Sequence, residues 1–124
     1  MPTKPKFLAG RNIAIKVPPH QYEATIRFYG EVLGFKEVER LAASVVFEFG
    51  TNKLWIDSVP AVSQAEIWLE VLTSDIEAAS DHLETAGIAR CDEIELLPEG
   101  LKAFWVSSPS SIVHLVCEDS EMQG

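Results

Sequence analysis

Asn12-Ile13-Ala14-Ile15-Lys16-Val17 is the stretch that decides the fold, because its pattern returns 54 residues later as Glu66-Ile67-Trp68-Leu69-Glu70-Val71. Polar or small residues alternate with branched apolar ones in both copies, the mark of a half-buried strand. Behind each copy come a loop and a helical pattern: Tyr22, Ile26, Tyr29 and Leu33 in the first half, Ile76, Ala79, Leu83 and Ala86 in the second. These spacings gather apolar side chains on one helix face. The stops also match, Gly34 before Phe35 and Gly87 before Ile88, since glycine is favoured just past a helix C-terminus. Ser74, three positions ahead of Glu77, predicts a capping box at the start of the second helix.

Strand-like stretches follow each helix, over 36–40, 44–49 and 54–57 in the first half and over 92–97, 103–107 and 112–117 in the second. Turn-forming residues separate them at 50–52, 98–100 and 107–111. Each half therefore reads βαβββ. The expected architecture is α+β, with one module over about 11–57, a linker over 58–64 and a second module over about 65–118. A chain of 124 residues has the length of one domain and too little for two independent cores.

With 47% hydrophobic and 23% charged residues, the chain has the composition of a globular protein rather than a disordered one. A formal net charge of −9 repels nucleic acid and anionic membrane surfaces, so neither is expected as a partner. Cys91 and Cys117 stand in no C-x-x-C or Cys/His cluster, which leaves redox and structural-zinc chemistry without a signature. The first ten residues carry two lysines but only a short apolar stretch, far from a signal-peptide core, and no later run approaches membrane-spanning length. A cytoplasmic location is the expectation. Nucleophile-elbow, P-loop, zincin and Rossmann motifs do not occur in the sequence.

Two βαβββ modules, with Phe28-Tyr29-Gly30-Glu31-Val32-Leu33-Gly34-Phe35 closing the first helix, resemble the vicinal oxygen chelate superfamily of glyoxalases, extradiol dioxygenases and fosfomycin and bleomycin resistance proteins. The likeness runs from Arg11 to about Glu118. It implies a single glyoxalase/bleomycin resistance-like domain whose two modules form a curved open barrel, a ligand in the concave cup, and frequent homodimers. In the metal-dependent members a histidine or glutamine opens the first strand of each module and a glutamate lies on the last. Those first-strand positions hold Asn12 and Glu66 in this chain, and the last strands offer Asp57 or Trp55 in the first module and His114 in the second. The turn before His114, Ser108-Pro109-Ser110-Ser111, lacks the family's glycine and is one residue shorter, which leaves the register at His114 open by one.

One imidazole among oxygen donors makes a poor transition-metal site. The resemblance therefore leads us to expect no tightly bound metal cofactor, with a loosely held divalent metal on Glu66 and His114 as the lesser possibility. Strand parity indicates the rest of the cup: if Ile13, Ile15 and Val17 pack on the helix, Asn12, Ala14 and Lys16 face inward. By the same count Glu66, Trp68 and Glu70 face inward with Trp55 and Asp57, while Ile67, Leu69 and Val71 pack against the second helix. The expected ligand-binding set is Asn12, Trp55, Asp57, Glu66, Trp68, Glu70 and His114. Aromatic planes beside carboxylates suit an aromatic or cationic small molecule. The leading functional reading is a small-molecule binding protein similar to the bleomycin resistance branch, and the alternative is a metal-dependent lyase, transferase or dioxygenase resembling glyoxalase I. A homodimer is expected, since half-sheets expose edges that a partner can cover.

Overall fold

A computed structural model describes residues 4–119 and 121. Its elements run β1 (Phe7–Val17), α1 (Pro19–Arg27) continuing into a π-turn (Phe28–Val32), β2 (Glu37–Arg40), β3 (Ser44–Phe49), β4 (Asn52–Ser58), β5 (Glu66–Thr73), α2 (Ile76–Thr85), β6 (Ala89–Arg90), a 3₁₀ turn (Asp92–Ile94), β7 (Ala103–Ser107) and β8 (Val113–Glu118). The architecture is mixed α+β. The chain divides into two compact units, one of Arg11–Trp68 and the other of Leu69 onward with the segment up to Gly10.

In the first unit the strand order is β2-β3-β4-β1, with β1 parallel to β4 and the other neighbours antiparallel. Pro18 holds extended backbone and Pro19 opens α1, where a missing N–H costs nothing and the fixed φ already suits a helix. The helix then widens, the Leu33 N–H reaching back to the Phe28 carbonyl at 2.9 Å. Gly30 sits in this wide turn, and a Cβ there would come within 3.2 Å of the Phe47 ring. Glycine thus lets Phe47 press against the helix. The core that results consists of Val17, Ile26, Val45, Phe47, Leu54 and Ile56, sealed by Ile13, Ile15, Tyr22, Tyr29 and Phe35. Ile13, Ile15 and Val17 do pack on the helix side, as the period-2 pattern requires.

The second unit has strand order β5-β8-β7-β6, again with one parallel pair, β5 with β8. Its core of Ala79, Phe104, Val106 and Val116 is smaller and is flanked by Phe7, Val71, Ile76, Leu83 and Ile88. Phe7 comes from the leading end of β1, which this unit ties down: the buried Thr73 hydroxyl donates to the Lys6 carbonyl at 2.9 Å. Both helices end at the expected glycines, Gly34 with φ +78° and Gly87 with φ +79°.

Three local expectations are corrected. The helix cap is Asp75, whose Oδ1 accepts the Ala78 N–H at 3.1 Å, while the Ser74 N–H donates to the Lys6 carbonyl. A carboxylate one residue nearer the helix caps an orphan N–H of the first turn, that of Ala78 rather than Glu77, with charge assistance. Residues 92–97 are not a strand. Pairing with β7 is confined to Ala89 and Arg90; Asp92 then accepts the Trp105 N–H and the Glu95 carbonyl accepts the Trp105 indole N–H. These bonds draw the chain into a 3₁₀ turn and leave Leu96 96% exposed. Ile67 and Leu69 do not pack on α2 either; both are exposed, and only Val71 of that set reaches the core. Ala79 is the one buried residue of α2, too short a side chain to carry the helix face along the whole of β5.

The turn before β8 keeps its geometry without glycine. The Ser108 Oγ accepts the Ile112 N–H at 3.1 Å and the Ser108 carbonyl accepts the Ser111 N–H at 2.8 Å. Ser111 itself is held at φ +65°, a left-handed conformation that costs a non-glycine residue about 1 kcal/mol.

Candidate functional site

On the face of the first unit opposite α1, strand register lines Ser44, Asp57 and Lys16 in one row, since Ser44 and Lys16 are both opposite Asp57. Short polar groups in such a row meet across adjacent strands. Asp57 accepts from Lys16 Nζ through Oδ2 at 2.7 Å and from the Ser44 hydroxyl through Oδ1 at 2.6 Å. Lys16 is only 4% exposed, and its ammonium also stands 4.3 Å from the centre of the Trp68 ring. An ammonium so deeply placed is tolerable only when a carboxylate and an aromatic face replace its water. A second pair of bonds orients the indoles. Trp55 Nε1 donates to Asn12 Oδ1 at 2.8 Å, and Trp68 Nε1 donates to Glu66 Oε1 at 2.9 Å.

Five of the seven expected ligand residues therefore fall on this unit's helix-distal face: Asn12, Trp55, Asp57, Glu66 and Trp68. Trp55 is half-buried, whereas Trp68 is buried beneath Lys16. Lys16 and Ser44 complete the network, and neither was in the expected set. The alternation did turn Lys16 inward, and an inward lysine in a strand was the signal that a buried partner was needed. Ser44 is legible only from the register of β3 against β4.

In the second unit Glu70 pairs with Leu115 and Trp105 pairs with Leu115, so Glu70 lies on the helix-distal face there. Its side chain covers Gly10, where a Cβ would fall within 2.7 Å of the Glu70 Cβ. Glu70 also adds to the burial that pushes the Cys117 thiol up to about 11, so this buried free cysteine stays protonated and unreactive at neutral pH. His114 is on the other face. It pairs with Leu69 and Val106 and shares the parity of Val116, a core residue under α2. Val113 and Leu115 take the side that the resemblance reserved for a ligand.

The fold family implies a divalent metal, and the donors do not suit one. The Asn12 amide oxygen, one Glu66 oxygen and both Asp57 oxygens are already acceptors for indole, ammonium and hydroxyl donors, and His114 lies on the opposite face of its strand. Among the described residues no group of three or more His, Cys, Asp or Glu side chains is arranged to hold a metal ion. Among the described residues, too, no helix is long and apolar enough to cross a membrane.

Tandem βαβββ units, the first with a polar, tryptophan-bearing face turned away from its helix, define a class of two-module α+β proteins. The chain belongs to the Glyoxalase/Bleomycin resistance protein/Dioxygenase superfamily, whose family model matches residues 14–110. It is similar in fold to the Mn(II)-bound glyoxalase from Novosphingobium aromaticivorans, with a TM-score of 0.68 and 17% identity over 94% of this chain and 40% of that one. A hypothetical protein from Bacillus halodurans matches with a TM-score of 0.64 and 15% identity over 95% of this chain and 98% of that one. Homoprotocatechuate 2,3-dioxygenase from Brevibacterium fuscum, as its E323L mutant, matches with a TM-score of 0.63 and 16% identity over 94% of this chain. This chain spans only 33% of that dioxygenase. Among curated protein sequences nothing matches.

Proposed function

We propose that the protein binds a small aromatic molecule, neutral or cationic, on the Trp55–Trp68 face without a metal, in the manner of the bleomycin resistance branch of its superfamily. The observation that carries this reading is the pairing of each indole N–H with a side-chain acceptor, Asn12 for Trp55 and Glu66 for Trp68. These bonds fix two flat surfaces while engaging the oxygens that a metal would need. Trp55 keeps an accessible face for stacking. Glu66, which is exposed, supplies the negative charge that favours a cation.

The test is a panel of planar dyes matched in size and differing in charge, read by quenching of tryptophan fluorescence. Cationic and neutral dyes are expected to quench saturably, Trp55→Leu to weaken both by about tenfold, and Glu66→Gln to weaken only the cationic ones, an effect that salt should reduce. Equal binding by Trp55→Leu would overturn the reading.

We further propose that the functional species is a homodimer. The first unit exposes Phe28, Val32 and Leu33 around its π-turn, and the second exposes Leu8 and Leu69, apolar surface that association would cover. Sedimentation should give a mass near twice 13.7 kDa. A strictly monomeric species at micromolar concentration would refute it.

A further inference from the structure

The two units carry the same helix on the same strands, yet the space between helix and sheet is filled differently. In the first unit Ile15 and Val45 are both opposite Ile56; in the second, Leu69 and Val106 are both opposite His114. Since Ile15 and Leu69 are 54 residues apart, as the repeat requires, His114 takes the place of the fully buried Ile56. Two residues further along the same ladder Phe47 opposes Leu54, and the same step in the second unit reaches Ser108, hydrogen-bonded to Ile112. The helix repeat sets Leu83 against Tyr29, and the glycine stops set Ile88 against Phe35.

The second unit thus lacks the aromatic plug of the first. In the first unit Tyr29 stacks on Phe35 with ring centres 6.3 Å apart and meets Phe47 at a tilt at 6.2 Å, and the counterparts of the three are leucine, isoleucine and serine. What remains is a cavity of about 330 Å³ against α2, lined by these replacements and walled by Phe7, Val71, Val106 and Val116. The polar groups on it are Lys4, His82, His114 and the Ser108 region. Among the described residues no carboxylate lines it, although the chain as a whole carries nineteen Asp and Glu against ten Lys and Arg. His82 meets Phe7 at a tilt, with ring centres 5.9 Å apart. His114 Nδ1 lies 2.9 Å from the Ile112 carbonyl, which can only accept, so Nδ1 carries the hydrogen and Nε2 is an acceptor in the neutral ring.

We infer that this cavity is a second binding site, distinct from the Trp55–Trp68 face, for an apolar monocarboxylate whose hydrocarbon part replaces the missing aromatic plug beside His114 and whose carboxylate meets Lys4 and His82. The volume is at the lower end of small-ligand pockets and suits a molecule of about ten to fifteen heavy atoms. The complementarity is of both kinds: apolar walls for the tail, and cationic or hydrogen-donating side chains for the head.

Octanoate is the probe, with 1-octanol as its uncharged counterpart, both followed by the ring-proton NMR signals of His82 and His114. Octanoate is expected to shift both sets of signals saturably at millimolar concentration or below, and octanol to bind roughly tenfold more weakly. Ser108→Phe, which restores the residue type of the first unit, should abolish both; Leu83→Phe fills the same space from α2 and serves if the first variant does not fold. Lys4→Ala should weaken octanoate and leave octanol unchanged. Absence of saturable shifts, equal affinity for acid and alcohol, or full binding by a folded plugged variant would each overturn the proposal.

Discussion

Lys16→Met should destabilise the protein by about 3 kcal/mol, measured by urea unfolding followed through tryptophan fluorescence, because it strands the Asp57 carboxylate in a site where only 13% of that side chain is exposed. The bare loss of an ion pair on a surface would be worth less than about 1 kcal/mol, so the two cases are well separated. Asp57 would keep the Ser44 hydroxyl as a donor but lose its counter-charge. In the double variant Lys16→Met, Asp57→Leu most of the stability should return, since two apolar side chains of similar bulk need neither partner. A loss below 1 kcal/mol for the single variant would show that the pair is screened by water and that Lys16 does not organise the face. The same variant should change the emission of Trp68, whose ring the ammonium covers.

Phe47→Ala should cost about 4 kcal/mol by the same measurement, within the range for truncating a buried aromatic residue. Phe47 is 1% exposed, touches the Tyr29 ring, and lies against Gly30 where no side chain intervenes. Because Gly30 belongs to the wide turn of the helix, the loss should also loosen Phe28–Val32, seen as faster amide exchange there than in β4. A cost below about 2 kcal/mol would mean that the neighbours collapse into the gap. That result would weaken the contrast with the second unit, where the same position is Ser108 and the gap persists.

Much of the architecture follows from local pattern. The alternation in Asn12–Val17 and its return at Glu66–Val71, the apolar spacing of both helices, and the glycines that end them are properties of neighbouring residues and depend on no distant contact. The same parity sorted Ile13, Ile15 and Val17 from Asn12 and Lys16, and placed Trp55 and Asp57 on one face. Where local pattern failed, a longer-range bond had intervened. Asp92-Glu93-Ile94-Glu95-Leu96 alternates as a strand does, yet a strand also needs a neighbour, and the bonds from Trp105 to Asp92 and Glu95 take up the chain first.

Tertiary structure alone decided which polar groups are available for chemistry. Asn12 and Asp57 read as part of a sparse set of oxygen ligands until register brings Trp55 and Lys16 to them and occupies their oxygens, while Glu66 is engaged by Trp68 two residues along its own strand. His114 reads as their companion until its register opposite Leu69 and Val106 places it beneath α2, because the side-chain period of a strand is two and a shift of one reverses every face. The cavity beside His114 has the same origin. Each substitution that opens it, from aromatic to leucine, isoleucine or serine, is ordinary by itself, and only packing shows that they share one volume.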